Sequence, residues 1–130
     1  MPERKDAKLK LDQIGQIAIP VQDLEKAVAF YRDVLGMDFL FQAPPGLAFF
    51  DCGGVRLMLD FPAGTQSENR SSIIYYKVDD LPSAVAELKA RGVEFDQEPE
   101  LVAQMPDHEL WIAFLRDPDG NTLALKWEKR

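Results

Sequence analysis

With 130 residues, 46% of them hydrophobic and 28% charged, the chain is long enough for one domain with a real core and carries no compositional sign of disorder. A formal net charge of -7, with no cluster of Lys and Arg, argues against phosphate-backbone binding, so no nucleic acid is expected as a partner and a neutral or cationic small ligand suits the field better. Cys52 is the single cysteine, so no disulfide can form within the chain and a cytoplasmic location is the expectation.

The opening residues, MPERKDAKLK, are charged and lack an apolar run, which predicts a frayed tail over 1–13 rather than a signal peptide or a membrane span. Residues 14–21 alternate, with Ile17, Ile19 and Val21 on one side and Gln16, Ala18 and Pro20 on the other, as in a strand with one apolar face. Asp23 then caps a helix. Leu24, Ala27, Val28, Tyr31, Val34 and Leu35 recur at helical spacing to form its apolar stripe, and Gly36 ends it. A strand near 38–42 follows, Pro44-Pro45-Gly46 turns the chain, and strands at 47–51 and 55–61 form a hairpin across Cys52-Gly53-Gly54. Cys52 has no base beside it in sequence that would activate it, and is read as a turn residue.

The stretch 62–71, rich in Gly, Ser, Asn and Pro, reads as a linker between a first module at 14–61 and a second at 72–127. The second module repeats the order. It has a strand at 73–78 and a helix capped by Asp80, with Leu81, Ala84, Val85 and Leu88 inward and Gly92 at its end. A strand at 93–97 follows, then a hairpin of 110–116 and 121–127 across Asp117-Pro118-Asp119-Gly120. That turn carries acidic residues, but its glycine falls fourth and a proline intrudes, so it is read as a hairpin and not as a calcium loop.

The two modules are copies. IAIPVQDLEKAVAFYRDVLGMDF at 17–39 returns as IYYKVDDLPSAVAELKARGVEF at 74–95: Ile17 meets Ile74, Asp23-Leu24 meets Asp80-Leu81, Ala27-Val28-Ala29 meets Ala84-Val85-Ala86, and Gly36 meets Gly92, with one residue deleted before the glycine. The expected fold is therefore α+β, built of two β-α-β-β-β modules.

The opening pattern I-A-I-P-V-x-D-L-x-x-A-x-x-F-Y-x-x-x-L-G and the closing pattern F-x-R-D-P-D-G-N resemble those of the vicinal oxygen chelate superfamily. That superfamily includes glyoxalase I, bleomycin-resistance proteins, fosfomycin-resistance enzymes, methylmalonyl-CoA epimerase and extradiol dioxygenases. The resemblance runs over 14–127 and implies curved mixed sheets that form a cup, with the helices outside, more strongly than any one chemistry. It also implies a homodimer, since small chains of this kind commonly complete their cups with a partner's module.

In metal-using members, each module offers one ligand from the start of its first strand and one from its last strand. Carried over, those positions are Gln16 and Ile73, and Met58 and Ala124. The usual set is His, Glu and sometimes Gln; one amide, one thioether and two hydrocarbon side chains replace it here. Neither a metal nor another cofactor is therefore expected.

If Gln16 and Ala18 face the cup, strand phase and the repeat add Ile73, Tyr75, Lys77, Arg56, Met58, Asp60, Thr122, Ala124 and Lys126. Gln16, Arg56, Met58 and Tyr75 are expected ligand contacts on that ground, and Phe49 and Trp111 by their nearness to the hollow. His108, the only histidine, could act as a general acid or base with Glu109 beside it, although adjacent residues of a strand point to opposite faces. Two functions follow as expectations. One is metal-independent binding of a small molecule, as in the bleomycin-resistance members. The alternative is a metal-free lyase or epimerase that uses His108 or Glu109 as base and Arg56 or Lys77 to hold the enolate.

Overall fold

The computed structural model describes residues 9–10, 12–61 and 72–130; the expected linker at 62–71 and most of the expected tail lie outside the described residues. Two units of one build follow each other. The first is β1 (Gln16–Pro20), α1 (Leu24–Ala29), β2 (Asp38–Ala43), β3 (Leu47–Cys52) and β4 (Val55–Asp60). The second is β5 (Ile74–Lys77), α2 (Leu81–Ala90), β6 (Phe95–Gln104), β7 (Glu109–Arg116) and β8 (Thr122–Lys129). Each makes a four-stranded mixed sheet, ordered β1-β4-β3-β2 and β5-β8-β7-β6, in which the first strand runs parallel to the last and the other pairs are antiparallel. The fold is the α+β architecture that the repeat implies.

The helix signals operate as the sequence suggests. The Asp23 carboxylate accepts from the Lys26 N–H at 3.1 Å and Asp80 accepts from the Ser83 N–H at 3.2 Å, each satisfying a donor that the first turn leaves free. The extra residue of the first module has a structural outcome. After Ala29 the helix widens into a π-helical segment, Phe30–Val34, in which the Leu35 N–H donates to the Phe30 carbonyl at 2.9 Å. A single residue inserted into a helix is absorbed in this way, by one turn closing over five residues instead of four. Gly36 and Gly92 then end the two helices with φ of 75° and 91°.

β6 is twice the length expected from 93–97. Its sequence, FDQEPELVAQ, hides it: this is an edge strand, exposed at alternate positions, carrying Pro99 and three irregularities of register, so no apolar alternation marks it.

One cluster of buried side chains joins the units. Tyr31, Phe50, Leu57 and Leu59 come from the first, and Leu81, Val85, Leu115 and Leu123 from the second. Two joints hold the units together. At the first, the Tyr31 hydroxyl donates to Asp117 Oδ2 at 2.9 Å, the Gln22 N–H donates to Asp119 Oδ1 at 2.7 Å, and Asn121 Nδ2 donates to the Pro20 carbonyl at 2.9 Å. At the second, Arg91 donates to the Val34 carbonyl at 2.7 Å, and Asp51 and Cys52 line a cleft with Tyr76 and Val78. Among the described residues, no helix is long and apolar enough to cross a membrane.

Candidate ligand-binding site

In each unit the helix covers one face of the sheet and leaves the other open. Ile19, Phe50, Leu57 and Leu59 fill the covered face of the first sheet, which puts Gln16, Phe49, Arg56 and Met58 on the open one. These four expected contacts come together. Gln16 pairs with Arg56 across β1 and β4, Phe49 pairs with Met58 across β3 and β4, and Gln16 Nε2 lies 3.7 Å from the Met58 sulfur, a weak donor–acceptor contact. The Arg56 guanidinium carbon stands 5.7 Å from the ring centres of both Phe49 and Phe41, so the cation rests against a pair of aromatic rings.

Phe41 is a member of this group that strand phase misses. Strict alternation would send Phe39 and Phe41 to the same face, but β2 breaks register between them. Phe39 consequently packs on Phe50 in the core, and Phe41 packs edge-on against Phe49, with ring centres 4.8 Å apart, on the open face.

On the second sheet the open face carries Tyr75 and Phe114, whose rings meet edge-on at 6.1 Å across Ala124. Tyr75 is 45% exposed, available to a ligand as well as to its neighbour. Trp111 stands elsewhere than expected. It shares the covered face of β7 with Ala113 and Leu115, lies opposite Trp127, and packs against the core. An apolar run such as WIAFL gives alternation nothing to work with, and Phe114, three residues on, takes the open-face position.

The expected acid–base pair also sits apart from the open-face group. His108 Nδ1 is 2.8 Å from Asp107 Oδ1, Asp107 is held by Arg130 at 2.7 Å, and the Glu109 carboxylate accepts from Trp111 Nε1 at 3.0 Å. Arg130 and His108 hold the Asp107 carboxyl below the usual carboxylate range. Along β7 this cluster lies five residues, or about 17 Å, from the row of Phe114, Ala124 and Tyr75. Cys52 is half-buried, and burial with the nearby Asp51 charge pushes its thiol up, away from the reactive thiolate.

Residues 13–125 match the family model described as the Glyoxalase/Bleomycin resistance protein/Dioxygenase superfamily. The chain belongs to that superfamily. Among its curated members, this chain is 30% identical to the mitochondrial methylmalonyl-CoA epimerase of Mus musculus, over 92% of this chain and 74% of that protein. It is 31% identical to a probable lactoylglutathione lyase of Vibrio cholerae, over 85% of this chain and 86% of the relative. Its fold superposes on that of TnmS3, an antibiotic binding protein from Streptomyces sp. CB03234, with a TM-score of 0.72 and 27% identity over 93% of this chain and 99% of TnmS3.

The donor set of the superfamily's metal-using members does not fit here. Gln16 offers one neutral amide, already turned toward the Met58 thioether, while Ala124 is fully buried and Ile73 is 41% exposed, and neither has a donor atom. Among the described residues, no group of three or more His, Cys, Asp or Glu side chains could hold a metal ion.

Proposed function

We propose that the protein binds a small organic molecule on the open sheet faces, without a metal ion, acting in the cytoplasm. The observation that carries this reading is Arg56 set against the touching Phe41 and Phe49 rings, beside the Gln16–Met58 contact. Aromatic surface with one cation and one amide suits an aromatic ligand with a polar edge, and Tyr75 with Phe114 supplies a second aromatic wall. The name of the antibiotic-binding neighbour TnmS3 supports the same class of ligand. The net charge of -7 favours the approach of a cationic or neutral molecule over an anion.

A thermal-shift screen of polycyclic aromatic antibiotics tests the proposal. A hit should raise the melting temperature of the wild type, and Arg56→Ala should lose most of that rise while melting close to the wild type on its own. The proposal fails if no compound stabilises the wild type and Tyr75→Ala merely lowers its melting temperature.

A metal-free lyase or epimerase is the second reading, supported by the names of the epimerase and lyase relatives and by the His108–Asp107 contact, which orients the imidazole. Turnover of an acyl thioester or of a 2-oxo aldehyde thiol adduct that survives chelator and disappears in His108→Ala would favour it. A homodimer belongs to the proposal as well, since a partner could close the exposed faces. Light scattering at micromolar concentration should then give twice the 14.7 kDa chain mass.

A further inference from the structure

Arg56 is placed differently from the other arginines among the described residues. Arg32, Arg91, Arg116 and Arg130 are bonded to the carboxylates of Asp33, Glu87, Asp96 and Asp107 in turn. A carboxylate is within reach of Arg56 as well, since Asp51 stands directly opposite it in the pairing of β3 with β4 and so shares its face. Among the described residues Arg56 nonetheless forms no ion pair, and its guanidinium turns to Phe41 and Phe49 instead. Contact with aromatic rings leaves its N–H donors without acceptors. On the other side of Arg56 stands Gln16, its register partner across β1 and β4. The Gln16 amide nitrogen has only the Met58 thioether at 3.7 Å, a weak acceptor that an oxygen would displace.

We infer, on the basis of the open-face binding proposed above, that the ligand there is an aromatic carboxylate. Its two oxygens meet the Arg56 fork and the Gln16 amide, and its ring lies against Phe41, Phe49 and Met58. A guanidinium matches a carboxylate with two parallel N–H bonds, and it is weakly hydrated, so little water must be stripped from it. The carboxylate enters on the Gln16 side, because Asp51 and, beyond it, Asp38 make the other side of the same row acidic. The other cations on an open face, Lys77 and Lys126, are register partners on the second sheet. Lys126 is already paired with Glu128 at 3.4 Å, and an ammonium is a point charge without a fork. The net charge of -7 opposes the approach of an anion from a distance, but that field is largely screened beyond about 10 Å at 0.1 M salt, whereas pairing with Arg56 acts at contact.

The test is an amide NMR titration with 2-naphthoate and with 2-naphthamide, its uncharged isostere, at about 0.1 M salt. Naphthoate should shift the signals of Gln16, Arg56 and Met58 and bind on the order of tenfold more tightly than naphthamide. Arg56→Lys, which keeps the charge and loses the fork, should remove most of that preference while moving the affinity for naphthamide little. Asp51→Asn, which removes the competing carboxylate, should tighten naphthoate roughly threefold and leave naphthamide unchanged. Both positions are exposed, so the two variants should keep the wild-type fold. Equal binding of the two probes at these residues would overturn the inference and leave the open-face reading standing. Absence of shifts with either probe would also overturn it, and the thermal-shift screen then decides the open-face reading by itself. Naphthoate shifts centred on Lys77 and Lys126, or a preference for naphthoate that Arg56→Lys keeps in full, would likewise count against the assignment.

Discussion

The Tyr31 hydroxyl and Asp117 Oδ2 lie 2.9 Å apart although 86 residues separate them, and both side chains are buried. Asp117 also accepts from the Asp119 N–H at 2.9 Å, from the Asn121 N–H at 2.8 Å and from Asn121 Nδ2 at 2.9 Å, so one carboxylate organises both its own turn and the joint with the first unit. Tyr31→Phe should therefore cost about 1–3 kcal/mol of stability, read by urea unfolding. Asp117→Ala should cost more, since it leaves the Tyr31 hydroxyl and the Asp119 and Asn121 N–H groups without that acceptor. In a double-mutant cycle the two changes should couple; additive effects would mean that the contact carries no energy of its own.

Asp119 gives an opposite expectation. Its Oδ1 accepts from Gln22, but its Oδ2 is buried without a partner among the described residues, and desolvation, the largest cause, raises its carboxyl above the ordinary value. A carboxyl whose folded pKa is raised contributes stability below its unfolded pKa, and this is lost as pH rises through the folded pKa. Asp119→Asn keeps an oxygen acceptor and removes the charge. It should match the wild type in melting temperature at pH 3 and exceed it at pH 7; a variant less stable at pH 7 would show that the ionised form is needed.

Gly46 is sterically required. A Cβ there would stand 1.8 Å from the Phe61 carbonyl oxygen, which is backbone and cannot rotate away, and the Phe61 N–H bonds back to the Gly46 carbonyl at 2.7 Å. Gly46→Ala should cost about 3 kcal/mol, the upper end for overpacking, because β3 and β4 must part to admit it. Gly53→Ala, in open space at a φ of 61°, should cost about 1–2 kcal/mol from backbone strain alone. Denaturation midpoints that reverse this order would contradict the close approach.

Elemental analysis of protein purified without chelator should find no stoichiometric Zn, Ni, Fe or Mn, and chelator should leave the melting temperature unchanged. The physical ground is the donor set: a thioether and a single amide bind such ions too weakly to survive purification. A tightly held ion lost on Gln16→Ala would overturn the metal-independent reading.

The fold was legible because it is written twice. Either Asp cap alone is a weak sign, but Asp23 and Asp80 at matching places, each followed by an apolar stripe and a glycine, fix the unit, and the alternation of Ile17, Ile19 and Val21 fixes the faces of β1. The open-face group around Gln16, Arg56 and Met58 followed from that phase. Phe41 did not, because a bulge reverses a strand's faces without leaving a residue type that announces it. Trp111 and Phe114 sit in a run apolar on both sides, where period carries no information. The Tyr31–Asp117 contact was equally hidden, since nothing in either residue's neighbourhood names a partner so far along the chain.

The widened turn at Phe30–Val34 bears on how the halves of a duplicated gene diverge in length. A residue gained in a loop can vanish into solvent, but one gained within a packed helix would ordinarily rotate everything after it by about 100°, a full step of the helical wheel. Here the surplus is confined to one turn: Asp23 and Gly36 still end the first helix as Asp80 and Gly92 end the second, and the flanking strands keep their places in the sheets. The two copies thus differ by one residue without either having to match the other. Tyr31 keeps the spacing from Asp23 that Leu88 has from Asp80, so removing one residue from 32–34 should restore an ordinary helix and leave the Tyr31–Asp117 bond in place.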